Sequence, residues 1–205
     1  MRRKILLICL VLIFTVSYLK AQKISFALGL KVQYADPINE LYSGDFMSGL
    51  LFNLKIGDNF VIEVDSGNWK SEVKQKTNGL YPGELSITPI LVSGLFLFPL
   101  GKSFHPYLGI GFGYYFNHFQ ISEEIVTIPE IEITQDVDDK FGFQGEIGFD
   151  YFLATNFALN LDMKYCWVSP QGKTIIKYTD GRITEEFFSL NLNNILYRIC
   201  IKIYF

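Results

Sequence analysis

The last eleven residues, from Ile195 to Phe205, alternate between two kinds of side chain from Tyr197 onward. Large apolar residues fill every second position, and Arg198, Cys200 and Lys202 stand among the residues between them. Successive side chains of a β-strand point to opposite faces, so this period describes a strand with a different solvent on each face. An unprotected strand of this kind invites aggregation in water, whereas a closed membrane barrel has no free edge. The sequence therefore predicts a transmembrane β-barrel whose last strand pairs with the first.

The first 21 residues have the layout of a secretory signal peptide. Arg2, Arg3 and Lys4 precede an apolar run from Ile5 to Val16, and the small residue Ala21 stands before Gln22. The run is shorter than the ~20 residues that a transmembrane helix needs. We expect residues 1–21 to be removed and residues 22–205 to form the barrel.

The composition separates a membrane barrel from a soluble one. Charged residues make up 19% of the chain, below the ~25% usual in soluble domains, while hydrophobic residues make up 49%. The more polar face of each predicted strand holds mainly Gly, Asn, Gln and Ser, with few charges, which suits a crowded lumen better than a water-exposed surface. The net charge of -3 gives no reason to expect nucleic acid as a partner.

Period-two segments occur eight times along the chain, separated in turn by short turns and long loops. The predicted strands cover residues 23–34, 48–56, 60–69, 85–98, 106–118, 141–153, 157–167 and 195–205. The sequence thus predicts an all-β fold, an eight-stranded antiparallel transmembrane β-barrel with long extracellular loops and short periplasmic turns. We expect an outer aromatic girdle that includes Phe116, Tyr165 and Trp167, and an inner one that includes Phe60, Phe157 and Phe205.

The fourth predicted strand, residues 85–98, is apolar on both faces, so alternation alone does not orient it. Our interpretation places one set toward lipid: Ile87, Leu91, Leu95 and Leu97. It places the other set in the lumen: Ile90, Val92, Phe96 and Phe98. Pro89 lies within the strand and cannot donate a ladder hydrogen bond.

Charged residues recur on the faces predicted to point inward, five of each sign. They are Lys31, Lys55, Glu63, Asp65, Glu146, Asp150, Asp162, Lys164, Arg198 and Lys202. An isolated buried charge is unfavourable, so equal numbers indicate pairing. We expect Asp162 to pair with Arg198 or Lys202. The network either closes the lumen to water or lines a polar permeation path.

Two cysteines lie in the predicted mature chain, both on inward faces. A simple hairpin register puts Cys166 opposite Leu196 and Cys200 opposite Asp162. The Cα atoms of bridged cysteines lie within ~7 Å, which this register does not allow. Two free buried thiols are favoured over a disulfide.

Several stretches resemble small outer-membrane β-barrels, and most closely the OmpW family. They are residues 87–98, 101–115, 145–165 and 192–205. The apolar alternation that ends on an aromatic residue also resembles the assembly signal of such barrels. Its residues are Tyr197, Ile199, Ile201, Ile203 and Phe205.

The resemblance implies passage of small hydrophobic molecules through a narrow apolar cavity, with escape sideways into the membrane. The implied partners are outer-membrane lipid and lipopolysaccharide, the outer-membrane assembly machinery and a small hydrophobic ligand. We expect a monomer in the outer membrane of a Gram-negative bacterium, without a cofactor. The predicted ligand pocket comprises Pro89, Ile90, Val92 and Phe96.

Two other functions stay open at this stage. A filled lumen would favour a structural or adhesive barrel that acts through its extracellular loops. A lipid A-modifying enzyme would need a histidine near a serine and a carboxylate; His118, Ser122 and Glu123 are near one another in sequence but match no such motif. The acidic loop 119–140 is either simply solvated or a binder of divalent cations, and we predict no defined metal site.

Overall fold

The computed structural model describes residues 24–73, 79–122 and 131–205. The predicted signal peptide, residues 1–21, lies outside them. Twelve strands form in the described ranges: β1 (Ile24–Pro37), β2 (Asp45–Ile56), β3 (Phe60–Gly67), β4 (Trp69–Val73), β5 (Gly83–Leu97), β6 (Phe104–Ile121), β7 (Ile131–Val137), β8 (Lys140–Ala154), β9 (Phe157–Trp167), β10 (Gln171–Tyr178), β11 (Ile183–Ser189) and β12 (Asn194–Tyr204). In these same ranges, no helix has the length and apolar character needed to cross a membrane.

The predicted eight-stranded barrel is confirmed. Its wall runs in the order β1, β2, β3, β5, β6, β8, β9 and β12, all antiparallel, and β4 continues β3 along β5. The first and last strands close the wall, with Leu28 opposite Ile203. A path of paired residues that starts at Ala27 and passes around the wall returns to β1 at Pro37, ten residues further on. This stagger is what tilted strands in a closed barrel require.

Alternation in the sequence sorts the side chains between lipid and lumen. Leu30 and Ile110 are 70% and 78% exposed on the outside, whereas Glu63 and Lys202 are fully buried inside. The five residues of the predicted assembly signal all lie on the exposed outer face of the chain's end. Their part in assembly stays a prediction. An apolar exterior around a polar interior is the pattern of an outer-membrane barrel.

Two segments predicted as loops contain strands instead. β10 pairs with β7 on one side and with β11 on the other, which gives a separate three-stranded sheet. A tight turn joins β10 to β11, where the Tyr178 amide donates to the Arg182 carbonyl at 2.9 Å and Gly181 has a φ of 87°. We call β7, β10 and β11 the extracellular sheet. Three acidic residues of the loop 119–140, Glu123, Glu124 and Glu130, lie outside the described residues.

The predicted orientation of the fourth strand is wrong. Ile90 is 46% exposed and Phe96 is 50% exposed on the outer face, while Leu91 is 1% exposed in the interior. Neighbouring residues that face each other across a ladder share a side of the sheet, and Ser93 of β5 stands opposite the buried Glu63 of β3. That pairing turns the odd-numbered residues of β5 inward.

The cysteines are free thiols, and both are buried. Cys166 stands opposite Asn194, and Cys200 stands opposite Asn160. The register differs by two residues from the simple hairpin because β9 and β12 are joined through the extracellular sheet rather than by a symmetric turn.

Candidate functional site

A layer of charged side chains crosses the lumen near its middle. It contains nine of the ten residues predicted from the sequence: Lys31, Glu63, Asp65, Glu146, Asp150, Asp162, Lys164, Arg198 and Lys202. We call these nine residues the septum. Lys55, the tenth predicted residue, is only half-buried and forms no ion pair within the described part of the chain.

Lys164 ties opposite walls of the barrel together. Its Nζ donates to Glu63 Oε1 at 3.0 Å and to Asp65 Oδ2 at 2.6 Å. β9 and β3 are four strands apart in a ring of eight, so these contacts span the full width of the lumen. Asp65 also accepts from Lys31 Nζ at 2.6 Å.

Arg198 is the second tie across the lumen. Its Nε donates to Asp162 Oδ2 on the adjacent strand at 2.6 Å, and its Nη1 donates to Glu63 Oε1 at 2.7 Å. The Tyr107 hydroxyl donates to the same Asp162 oxygen at 2.8 Å. Arg198 thus takes the partner that the sequence favoured and adds one that spacing along the chain does not suggest.

The periplasmic side of the septum is centred on Asp150. Lys202 Nζ and Asn160 Nδ2 donate to Asp150 Oδ1 at 3.0 and 2.8 Å, and the Tyr204 hydroxyl donates to Oδ2 at 2.7 Å. An ion that moved along the barrel axis would have to separate these pairs while they are out of contact with water, which is unfavourable.

Apolar side chains fill the extracellular half of the interior, above the septum. Trp69, Ile87 and Leu91 come from the wall, and Tyr42, Phe188 and Leu190 come from the segments that cover it. We call this cluster the upper core; it is larger than the other buried apolar cluster found among the described residues, which includes Val61 and Tyr107. The upper core includes Ile87 and Leu91 of β5, which we predicted from the sequence to face lipid.

The wall beside the upper core has a gap in its hydrogen-bond ladder. The β3–β5 ladder ends where Ser66 stands opposite Ile90, and the β4–β5 ladder resumes where Trp69 stands opposite Ile87. Between them, residues 67–68 carry no ladder pairing with residues 88–89, although Thr88 and Pro89 remain paired with β6 on their other side. Pro89 contributes to the gap because it has no N–H to donate. We call this interruption the wall break.

Side chains bridge the wall break in place of the backbone. Asn68 Nδ2 donates to Thr88 Oγ1 at 2.7 Å and to Ser86 Oγ at 3.2 Å. Ser66 Oγ donates to the Pro89 carbonyl at 2.8 Å. Such bonds contribute about 0.5–1.5 kcal/mol each, so they hold this seam less firmly than a continuous ladder would.

The other side of the same segment is also weakly held. The β2–β3 ladder ends where Gly49 stands opposite Gly67. Beyond it, the Lys70 amide donates to Asp45 Oδ2 at 3.3 Å and Ser71 Oγ donates to the Ser43 carbonyl at 3.0 Å. Backbone contact resumes where the Ser43 amide donates to the Glu72 carbonyl at 3.3 Å. The segment around Asn68 is therefore weakly paired on both of its sides.

The four residues of the predicted ligand pocket do not lie together in the lumen. Pro89 is buried at the wall break, but Ile90, Val92 and Phe96 lie on the outer face, so they do not line the lumen. The residues that do so, Ile87 and Leu91, alternate with them on the same strand. Polarity did not reveal this face in the sequence, because Ser93 points inward whereas Ser86 and Thr88 of the same strand point outward.

Two grooves on the outer surface lie beside the seam between β1 and β12. One has a volume of about 660 Å³ and includes Val32 and Tyr197, and the other has a volume of about 570 Å³ and includes Leu28 and Ile203. Both grooves are lined mainly by lipid-facing side chains and so belong to the membrane-contacting surface.

A family model for the outer membrane protein beta-barrel domain matches residues 6–193. The chain belongs to this family. Membership in the outer membrane protein beta-barrel domain family supports an outer-membrane location, while cleavage of residues 1–21 stays a prediction. No curated protein gives a significant sequence match.

Solved structures with the same fold include three small outer-membrane barrels. OprG from Pseudomonas aeruginosa is 18% identical, with a TM-score of 0.74 over 90% of this chain and 97% of OprG. Outer membrane protein W from E. coli is 15% identical, with a TM-score of 0.54 over 90% of this chain and all of that one. AlkL is 14% identical, with a TM-score of 0.51 over 90% of each chain. At these identities the comparison shows the fold alone.

In the described part of the chain, the structure adds no candidate residue for a lipid A-modifying enzyme or for a metal site. Glu123, the carboxylate next to Ser122, lies outside the described residues. In the ranges that are described, no group of three or more His, Cys, Asp or Glu side chains is placed to hold a metal ion.

Proposed function

We propose that this barrel transfers small hydrophobic molecules from the extracellular side into the outer membrane, with exit through the wall break. The observation that carries the proposal is the interrupted ladder between β3, β4 and β5, which adjoins the apolar upper core. Release sideways into the membrane is the route expected from the sequence. The exit proposed here lies between Gly67 and Asn68 on one side and Thr88 and Pro89 on the other.

The upper core supplies the environment that such a solute needs. Buried apolar surface stabilises a bound molecule by about 25 cal/mol per Å², so binding requires no dedicated polar contact. Trp69, Ile87 and Leu91 lie directly inside the wall break. A solute that displaces side chains of the upper core therefore has a short path to the lipid.

The septum directs the solute sideways. Lys164 joins opposite walls, and Arg198 joins β12 to β3, three strands away, so a path to the periplasm requires several buried ion pairs to separate. Lateral opening begins with the loss of the hydrogen bonds made by Asn68 and Ser66 and widens by unpairing of the short strand β4 from β5. The second route breaks fewer and weaker interactions.

A structural or adhesive barrel is the second candidate, and one observation favours it. The extracellular sheet presents Phe187 with 75% of its surface exposed, on a strand at the edge of that sheet. An exposed aromatic residue on an edge strand is suited to contact with another molecule. This role would depend on the sheet and not on the wall break.

A reversible lock across the wall break tests the transfer function. By the register of the flanking ladders, residues 68 and 88 face each other on the outer surface. Asn68→Cys with Thr88→Cys, in a background with Cys166→Ala and Cys200→Ala, should form a disulfide that closes the seam. Uptake of radiolabelled decane by cells that carry the barrel is measured before and after reduction.

Val64→Cys with Val92→Cys is the matched control, because these residues stand opposite each other on the same two strands where the ladder is intact. We expect the lock at the wall break to suppress decane uptake until it is reduced, and the control lock to leave uptake unchanged. Equal uptake by the locked and reduced forms of the first variant would favour the structural or adhesive role.

A further inference from the structure

Polar side chains occupy the lipid-facing surface around the wall break. Ser66 lies between Leu50 and Ile90 on the neighbouring strands, and both are exposed to lipid. Ser48 follows the exposed Phe46 by two residues and precedes Leu50 by two on β2. Together with three more outward residues they form a patch that we call the polar notch: Ser48, Ser66, Asn68, Ser86 and Thr88.

The polar notch lies at the level of the predicted outer aromatic girdle. Thr88 stands opposite Phe116, a residue of that girdle, and the ion pair between Lys70 and Glu84 lies beyond it on the extracellular side. Polar groups are unfavourable on the lipid side of a barrel, and the penalty decreases toward the interface. Five such residues around a break in the ladder therefore point to a role in binding.

The available hydrogen-bonding groups are neutral. The Thr88 and Ser86 hydroxyls accept from Asn68, and each hydroxyl still has its own proton to donate. Lys70 is the nearby cation, but its ammonium group already meets Glu84 Oε1 at 2.7 Å. A carboxylate would have to displace Glu84, whereas an alcohol or an ester needs only the hydroxyls and the amide.

We propose that the polar notch binds the neutral polar head of an amphiphile as its apolar tail leaves the upper core. The preferred cargo is then a single-chain alcohol or ester, rather than a pure hydrocarbon or a fatty acid anion. This inference rests on the proposed lateral transfer and adds the substrate class to it. A head held at the notch lies at the membrane interface while the tail enters the acyl region.

The test compares three solutes of equal chain length: decane, 1-decanol and decanoate. The variant Asn68→Leu with Thr88→Val removes the hydrogen-bonding groups but keeps similar volumes. Tyr197→Phe is the matched control, because it removes one exposed hydroxyl from the outer face of β12, away from the wall break. Uptake by cells is measured for each solute and expressed relative to decane.

We expect the wild-type barrel to favour 1-decanol over decanoate, and the notch variant to lower the uptake ratio of 1-decanol to decane about tenfold, which corresponds to about 1.4 kcal/mol. Tyr197→Phe should leave this ratio unchanged. The ratio separates head recognition from a general loosening of the seam, since loosening would raise the uptake of both solutes.

Decane uptake that depends on the barrel, together with the same ratio in the notch variant and in wild type, would overturn the inference and leave lateral transfer standing. No barrel-dependent uptake of decane would instead remove the proposed function. Photolabelling with a diazirine-bearing decanol gives an independent readout: adducts concentrated at residues 66–68 and 86–88 support the notch, and adducts spread evenly around the barrel contradict it.

Discussion

Asp162 and Arg198 stand directly opposite each other on β9 and β12, and the guanidinium Nε of Arg198 donates to Asp162 Oδ2 at 2.6 Å. The same guanidinium reaches Glu63 on β3 at 2.7 Å. The Arg198 side chain therefore makes one ion pair with the adjacent strand and another with a strand across the lumen. This arrangement makes the septum a set of mutually dependent charges rather than a row of separate pairs.

Removal of this arginine should destabilise the barrel strongly. Arg198→Met leaves Glu63 and Asp162 buried without their shared partner, and breaking a buried ion pair in this way costs about 3–5 kcal/mol. We expect the free energy of unfolding in detergent micelles, measured with urea, to fall by about this amount.

A double-mutant cycle separates the pair from the rest of the septum. Asp162→Asn combined with Arg198→Met should cost less than the sum of the two single changes, because the carboxylate left unpaired by Arg198→Met is then neutral. Strictly additive changes would mean that the two side chains do not interact in the folded protein.

The septum should make the barrel nearly impermeable to ions. Lys164 joins Glu63 and Asp65 across the lumen, so its loss by Lys164→Ala removes a direct tie between opposite walls. Planar bilayers that contain the wild-type protein should show little conductance, and Lys164→Ala should raise it. A large conductance in the wild type would show that the septum opens readily and would favour the polar permeation path.

Two adjacent positions on β5 should respond in opposite ways to a charge. Leu91→Glu places a carboxylate in the upper core and should lower hydrophobic-solute uptake. Val92→Glu places it on the outer face, where a charge is unfavourable in lipid, and should reduce the amount of folded barrel. Heat-dependent migration on SDS gels measures folding, and decane uptake measures transfer. Identical behaviour of the two variants would contradict the observed orientation of β5.

Loss of the terminal Phe205 should impair insertion more than a change at Tyr204. Phe205 is exposed to lipid, whereas the Tyr204 hydroxyl donates to Asp150 at 2.7 Å. Tyr204→Ser therefore removes a septum contact as well as a ring, and Tyr204→Phe is the cleaner comparison. Surface levels of the barrel in cells report the outcome, and equal levels in the Phe205 deletion and Tyr204→Phe would count against an assembly role.

The sequence by itself determined the barrel, its strand number and most of its lining. Alternation is a local property of one strand. Arg198 and Lys202 therefore indicate its inward face, and Ile199 and Ile201 its outward face, without any information on the adjacent strands. The first and last strands could be paired for a similar reason, since a closed barrel leaves no other partner for them. The nine septum residues followed from the same rule.

Only the tertiary structure decided which face of β5 points inward, because both of its faces are apolar. The pairing of Ser93 with Glu63 settled that orientation, and it moved the lumen lining from Ile90 and Val92 to Ile87 and Leu91. Pro89 predicted a missing ladder bond in this strand, but the extent of the wall break is not visible in the sequence, since it depends on where two ladders along one strand end and resume. Pairing between distant segments has no local signature, and the exit proposed here depends on it.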